Sequence, residues 1–315
     1  MEPVFNVVLP VFGIILSGYA CGRFQLLGPA SSEALNKFVY FVALPVLLFY
    51  AMARVEPSEI LNWPFLAAFG GGCIIVTIAS VLFVRMVFKT RLSEQAMFGM
   101  IAIFGNTGYM GIPLSIVAFG DVGALPAIVA TVFQTVMMIP FYAVMIEADL
   151  RGERGLTAAF NVTKSLTRNP LMISSVAGLA WSFTGIQIPV PIATFCEILS
   201  GAAGPSALFA VGMFLVGKPL LAGIDEVASV TVIKLLIHPV VTWVLFTYVF
   251  EVEPLWHAIG ILMSALPAGA LCFVVAQNYN VYVQRTSAAI LISTIAAVIT
   301  LSVLFLSPIM QVPAP

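Results

Sequence analysis

The chain has 315 residues, of which 61% are hydrophobic and only 9% are charged, and its formal net charge at pH 7 is −1. A soluble domain has about 45–50% apolar and about 25% charged residues. A mean hydropathy of +1.09 therefore excludes an ordinary soluble protein, and no nucleic-acid partner is expected.

Apolar stretches long enough to cross a bilayer follow one another along the whole chain. A bilayer core of about 30 Å requires about 20 apolar residues per helix, and charges and turn residues divide the sequence into ten such stretches. The sequence therefore predicts an all-α polytopic membrane protein. The first to the tenth predicted spans are Val4–Cys21, Ala34–Ala53, Trp63–Val87, Ala96–Phe119, Val122–Ile146, Pro170–Thr184, Ile192–Val216, Val227–Phe250, Pro254–Gln277 and Thr286–Leu306.

The basic residues predict the orientation of these spans. Of the 13 Lys and Arg residues, Arg54 alone falls on one side, and all the others lie in loops and helix ends of the opposite side. Because basic loops stay in the cytoplasm, we expect both termini to be external. The expected location is the inner (plasma) membrane, crossed many times.

Proline and glycine interrupt the fourth and the ninth predicted spans in mid-membrane. The first break is Phe104–Pro113, with the sequence FGNTGYMGIP, and the second break is Ser264–Ala270, with the sequence SALPAGA. Such residues free backbone groups that lipid cannot satisfy. Broken helices in corresponding positions of two halves mark the binding site of many secondary transporters, so the sequence predicts a carrier.

The spacing of prolines within the spans also predicts an internal repeat. Pro45 and Pro113 are separated by nearly the same number of residues as Pro205 and Pro267. Since each set contains an odd number of spans, the second set enters from the opposite side and the repeats are inverted. We predict a first repeat over residues 1–147, a cytoplasmic loop over 148–169 and a second repeat over 170–315.

The first break carries most of the predicted binding groups. Half-helix N-termini present partial positive charge and unpaired amides, which suit a carboxylate. Asn106 and Thr107 add hydrogen-bond donors, Gly108 allows close approach, and Tyr109 and Pro113 complete the candidate set. The alternative is that the small residues only allow helices to pack closely.

The second break is less polar. Its candidate binding residues are Ser264, Pro267, Ala268 and Gly269, and Gln134 in the fifth span is a further candidate, facing either the protein or the cavity. This difference predicts an asymmetric pocket, with hydrogen bonding from the fourth span and an apolar wall from the ninth.

Two ionisable residues of the eighth span are candidates for ion coupling. Lys234 and His238 are four residues apart and share one helix face. Lys234 lies about two turns inside the cytoplasmic end, and this position favours a side chain that extends to the headgroups. His238 is either a proton carrier or a packed neutral side chain.

Several kinds of chemistry have no signature in the sequence. No pair of carboxylates lies near either break, no phosphate-binding Walker motif occurs, and no set of nucleophile, base and acid is visible at membrane depth. The four cysteines have no metal-ligand spacing and are interpreted as packing residues. We therefore expect no enzymatic activity, no cofactor and no metal.

Four motifs together resemble a known family. They are Asn106–Leu114 (NTGYMGIPL), Leu44-Pro45, Asn169-Pro170-Leu171 and Ala265-Leu-Pro267. These motifs resemble those of the bacterial branch of the auxin efflux carrier (PIN-like) family, and the resemblance runs from end to end of the chain. The bile-acid:sodium symporters are similar in architecture.

The resemblance implies ten helices in two inverted five-helix repeats, with helices four and nine crossing at their unwound centres. It implies a scaffold of helices 1, 2, 6 and 7, a transport domain of helices 3–5 and 8–10, and a homodimer. Members move small organic anions such as auxin, malonate or malate, by alternating access. Two alternatives stay open: sodium-coupled symport of an amphipathic acid, and a membrane ligand sensor without transport. Coupling to protons or to sodium also stays open.

Overall fold

The protein is described by a computed structural model, which covers residues 9–54, 62–150, 170–217 and 223–311. Within these ranges the regular structure is helical, apart from one isolated antiparallel bridge between Gly105 and Ala268. The all-helical class predicted from the sequence is therefore confirmed for the described residues. The predicted loop over residues 148–169 lies almost entirely outside the described residues.

The helices follow the predicted apolar stretches to within a few residues. In the first half they are α1 Leu9–Arg23, α2 Pro29–Phe38, α3 Leu44–Ala53, α4 Trp63–Phe88, α5 Leu92–Ile103, α6 Ile112–Phe119, α7 Ala124–Phe133 and α8 Ile139–Leu150. In the second half they are α9 Pro170–Phe183, α10 Val190–Leu215, α11 Ile224–Val232, α12 His238–Tyr248, α13 Pro254–Ala265, α14 Ala270–Tyr279 and α15 Val283–Leu306.

Several uninterrupted helical stretches of the described chain are long and apolar enough to cross a membrane. The five that meet this standard are Ala30–Ala53, Trp63–Phe88, Val190–Leu215, Ile224–Tyr248 and Val283–Leu306. The fourth predicted span is instead divided into α5 and α6, and the ninth into α13 and α14. Both predicted breaks are thus present, while the count of ten spans in two inverted repeats stays a prediction.

Proline also shapes helices that remain continuous. Turns of π-helix occur at Val39–Ala43, Thr107–Gly111, Gln134–Met138 and Ile233–Ile237. In each case the second residue of the helix that follows is a proline, namely Pro45, Pro113, Pro140 or Pro239. A proline has no amide to donate to the carbonyl four residues earlier. The widened turn before it is the local adjustment, and such turns are common at functional sites.

The described residues form two compact units. The first unit draws on Met1–Asn62, Gly108–Val132 and Leu166–Gly217. Within it α1 packs on α10 so closely that a side chain at Gly18 would strike the Phe209 carbonyl, and α3 packs on α9 in the same way at Gly178. Small residues at such contacts are typical of membrane helices.

The second unit draws on Trp63–Thr107, Phe133–Ser165 and Lys218–Pro315. Its core contains α4, which packs on α5 and α12, and a hydrogen bond of 2.6 Å joins the hydroxyls of Thr77 and Tyr142. At one end of this unit, Arg285 pairs with Glu94 at 3.7 Å and with Glu226 at 3.4 Å.

Candidate functional site

The two breaks meet inside the second unit as a short antiparallel pair. The Asn106 amide donates to the Pro267 carbonyl at 2.8 Å, and the Gly269 amide donates to the Phe104 carbonyl at 3.0 Å. These bonds lie on either side of the bridge between Gly105 and Ala268. Each break therefore satisfies backbone groups that the other has freed, in a region without water.

Close approach at this crossing requires glycine. A Cβ atom on Gly269 would lie 2.7 Å from the Gly105 carbonyl oxygen, and one on Gly105 would lie 3.0 Å from the Met263 carbonyl oxygen. The packing explanation of the small residues therefore holds for these two glycines. It does not hold for Gly108, in the first unit, because its nearest neighbour would be a methyl of Thr131 at 4.0 Å.

The side chains of Asn106 and Thr107 are polar groups at the crossing that no hydrogen bond within the described residues occupies, and the Oε1 atom of buried Gln134 is a further one. Both residues are buried, with 4% and 2% of their surface exposed. Neither side chain forms a hydrogen bond to another residue of the described chain. Buried amides and hydroxyls normally have a partner, so these two side chains are the candidates for binding a ligand at the crossing.

Two side chains from π-turns bind the carbonyls where the half-helices end. Gln134 donates through Nε2 to the Ile103 carbonyl, the last residue of α5, at 3.0 Å. Lys234 donates through Nζ to the Ser264 carbonyl, near the end of α13, at 2.6 Å. A helix C-terminus carries partial negative charge and unpaired carbonyls. The first break is therefore capped by a neutral amide and the second by an amine.

The position of Lys234 in the sequence favoured a side chain that extends to the headgroups, and the structure shows that this expectation is wrong. Lys234 is fully buried, and its Nζ lies 3.2 Å from His238 Nδ1. His238 is also fully buried, and its Nε2 lies 3.9 Å from the Cys73 sulfur. The π-turn points the amine inward, toward α13, instead of along the helix toward its end.

Ser293 of α15 was not identified from the sequence. Its hydroxyl accepts a hydrogen bond of 3.1 Å from the Ala268 amide, which the second break leaves without a helical partner. Serines are frequent in membrane helices, so no local pattern distinguishes this one. Ser264, a sequence candidate, uses its own hydroxyl to bond the Ile261 carbonyl at 2.7 Å.

The candidates divide between the two units. The second unit holds the candidates that the crossing and its π-turn caps bring together, which are Asn106, Thr107, Gln134, Lys234, His238, Ser264, Pro267, Ala268 and Gly269. The first unit holds Gly108, Tyr109 and Pro113. In that unit Pro113 packs against Gly204, where a Cβ would lie 3.2 Å from the proline.

The electrostatics of the crossing favour an anion. α14 begins at Ala270, with Gly269 as its N-cap, and its first turn presents amides that have no partner in its own helix. Asn106 and Thr107 add neutral donors, and Lys234 contributes an amine from behind the second break. No group of His, Cys, Asp or Glu suited to a metal occurs in the part of the chain that the structure describes.

The chain matches the model of the family described as membrane transport protein over residues 3–305. It is 30% identical over 306 residues to a Rhizobium meliloti protein named "Putative malonate transporter", covering 96% of this chain and 95% of that protein.

Two longer proteins match in part. A rice protein (Oryza sativa subsp. japonica) named "Probable auxin efflux carrier component 1b" is 35% identical over 142 residues, 43% of this chain and 26% of that protein. A Mus musculus protein named "Lysosomal cholesterol signaling protein" is 26% identical over 235 residues, 68% of this chain and 26% of that protein.

Proposed function

Because this chain belongs to the membrane transport protein family, we propose that it is a secondary carrier that moves a small organic anion, a mono- or dicarboxylate, through the crossing of its two breaks. Membership makes it a transporter and not an enzyme. The substrate class and the mechanism are the proposal.

One observation carries the proposal: Asn106 and Thr107 are buried at the crossing with no hydrogen-bond partner in the described chain. A carboxylate accepts hydrogen bonds without donating any, so it complements two donors and the amides of a helix N-terminus. Charge-assisted bonds of this kind are about twice as strong as neutral ones. The name of the Rhizobium meliloti relative suggests malonate as the first substrate to test.

The architecture proposed for transport is a scaffold of spans 1, 2, 6 and 7 beside a transport domain of spans 3–5 and 8–10, arranged as inverted repeats. The division of the described residues into two units supports it for α4, α5, α8 and α11–α15, which belong to the second unit, whereas α6 and most of α7 belong to the first. The binding crossing would move with the transport domain, opening alternately to each side of the membrane.

Orientation in the inner membrane is open to a direct test. Both termini are proposed to be external, with residues 148–169 in the cytoplasm. A cysteine at Gly152, outside the described residues, is expected to react only with reagent on the cytoplasmic side, and one at Asn62 only from outside. The reverse labelling would overturn the orientation.

We also propose a homodimer formed through the scaffold. Its outer surface includes exposed apolar side chains on α10, such as Phe195 at 59% and Ile198 at 70% exposure. Native mass spectrometry in mild detergent and in nanodiscs is expected to show two copies, and a single copy in both would contradict the proposal.

The function is tested by uptake into proteoliposomes of purified protein. Radiolabelled malonate, malate and indole-3-acetate are offered in turn, with and without sodium, and liposomes without protein are the control. We expect saturable uptake of at least one acid that does not require sodium. Uptake that depends on sodium would favour the symporter of an amphipathic acid.

The second candidate function is a ligand sensor without transport. The observation in its favour is the similarity to the Mus musculus protein whose name describes signalling. A sensor would bind a ligand reversibly and show no accumulation in proteoliposomes. Saturable binding without uptake of any offered acid would select this candidate over the carrier.

A further inference from the structure

Lys234 carries a buried amine that has no anionic partner among the described residues. It has no exposed surface, and its hydrogen-bond partners are the Ser264 carbonyl at 2.6 Å and His238 Nδ1 at 3.2 Å. The ion pairs of the described chain involve Lys37 and Arg285, and Lys234 is in none of them. An ammonium that is buried in this way is expensive unless a negative charge accompanies it.

The surroundings of Lys234 supply no such charge. Its π-turn packs against α4, α5, α13 and α15. Besides His238, the titratable groups close enough to act on its charge are the thiols of Cys73 and Cys272. The charged groups on the packing helices α5 and α15 include Glu94 and Arg285, which pair with each other at the end of the unit. His238 on the following helix faces Lys234 directly.

A carboxylate ligand at the crossing would supply the negative charge. Ser264, which Lys234 binds, lies at the start of the second break, a few residues before the pair formed by Pro267 and Gly269 with the first break. A carboxylate bound at the crossing would lie close enough to stabilise an ammonium at Lys234 through a medium of low dielectric. Without the carboxylate, the neutral amine avoids the cost of the buried charge.

We infer that Lys234 is a proton-coupling site: it takes up one proton when a carboxylate anion binds at the crossing and gives up that proton when the anion leaves. This inference rests on the proposed carrier function. The amine becomes an ammonium as the anion arrives, and the reverse step returns one proton to solution for each anion released. Anion and proton therefore move in the same direction.

The contacts of Lys234 are compatible with both protonation states. The ammonium donates to the Ser264 carbonyl and to His238 Nδ1, which places the imidazole proton on Nε2, toward Cys73. The neutral amine still donates to Ser264, so the end of α13 stays capped. A second positive charge on His238, 3.2 Å away, is unfavourable, and this limits the pair to one proton.

Proton coupling affects the direction in which the anion is transported across the membrane. An inside-negative potential of 100 mV opposes the entry of each negative charge by about 2.3 kcal/mol. One proton carried with a monoanion cancels that opposition, and with a dianion it halves it. A monoanion is then driven inward wherever protons are more concentrated outside, and a dianion where the proton gradient also exceeds the remaining opposition of one charge.

The experiment measures protons and malonate together. Proteoliposomes containing purified protein and an internal pH-sensitive dye receive labelled malonate, with the membrane potential clamped by valinomycin and potassium. We expect one proton to enter with each malonate, and an outside-acid gradient of about one pH unit to increase accumulation about tenfold. Malonate uptake without proton entry would overturn the inference and leave the carrier function intact. No uptake of malonate, malate or indole-3-acetate would overturn both.

Variants of Lys234 separate coupling from capping. Lys234→Arg keeps a positive charge and a donor for Ser264, but arginine does not release its proton. We expect pH-driven net uptake at least tenfold lower than in wild type, and no proton entry with the malonate that is still exchanged. Lys234→Gln keeps the donor and lacks the charge, so any residual uptake is expected to move no proton.

The matched control is Lys37→Arg, because Lys37 is exposed and paired with Glu33 on the surface of its own helix. It is expected to retain proton coupling. Each variant is first checked for a monodisperse peak in size-exclusion chromatography. If neither Lys234 variant gives a monodisperse peak, the number of protons that enter with each malonate in the wild-type protein tests the inference alone. A folded Lys234 variant that still moved one proton with each malonate would overturn the inference.

Discussion

The two breaks solve the same backbone problem with different chemistry. At the first break, Gln134 caps the end of α5 with a neutral amide, and Asn106 and Thr107 keep their side chains available. At the second break, Lys234 caps α13 with an amine, while Pro267, Ala268 and Gly269 offer only backbone. If the proposed function holds, the first break recognises the ligand and the second break carries the charge.

The largest expected effect comes from breaking the contact that joins the two breaks. Gly269→Ala would place a Cβ 2.7 Å from the Gly105 carbonyl oxygen and force the crossing apart. Loss of its two backbone hydrogen bonds costs about 2–6 kcal/mol if the groups stay unsatisfied. We expect a clear fall in the thermal unfolding temperature and uptake reduced more than a hundredfold.

Gly201→Ala is the control for this substitution, because a Cβ at Gly201 of α10 meets nothing within 4 Å. It is expected to keep wild-type uptake and unfolding temperature. If Gly269→Ala behaved like Gly201→Ala, the crossing would not be the rigid pair that the structure shows.

The next effect tests recognition at the first break alone. Asn106→Ala removes a donor and leaves the amide of residue 106 bound to the Pro267 carbonyl. A hydrogen bond to a charged partner is worth about 1.5–3 kcal/mol, so the apparent affinity for malonate is expected to fall roughly tenfold to a hundredfold. The measurement is the concentration dependence of initial uptake rates.

Asn36→Ala is the comparison for Asn106, since the Asn36 amide donates to Ser32 within its own helix. It is expected to leave the affinity unchanged. An unchanged affinity in Asn106→Ala as well would mean that the first break is structural and that the assigned site is wrong.

The smallest effect distinguishes the two caps. Gln134→Leu removes the donor to Ile103 at nearly constant volume and costs about 1 kcal/mol, so uptake should fall less than tenfold. Because Gln134 carries no charge, proton entry per malonate should be unchanged. A loss of proton coupling in Gln134→Leu would show that charge and recognition are not divided between the breaks as described.

The sequence was sufficient for the helices and for both breaks. Long apolar stretches and the residues Pro113, Pro267 and Gly269 act locally, so their consequences can be predicted without tertiary structure. The four π-turns were missed, although each has a local signal in the proline that follows it. A proline at the second position of a helix marks where the preceding turn widens.

The direction of long side chains could not be predicted in the same way. Lys234 has a flexible stem that reaches the headgroups or the protein interior with equal ease, and packing alone decides between them. Gln134 and Ser293 are likewise ordinary residues of apolar helices, and their roles depend on carbonyls and amides that lie far away in the sequence. The asymmetric pocket was expected, but the amine behind its apolar side was not.

The central claim, that a carboxylate binds at the crossing of the two breaks, is tested most directly by protection from labelling. Thr107→Cys is introduced into protein whose four cysteines are replaced by serine, and its reaction rate with a small thiosulfonate reagent is measured with and without malonate; Gly201→Cys in the same background is the reference. Saturating malonate is predicted to slow labelling at residue 107 at least tenfold and to leave residue 201 unaffected. Uptake of malonate by the Thr107→Cys protein with an unchanged labelling rate at residue 107 would contradict the account.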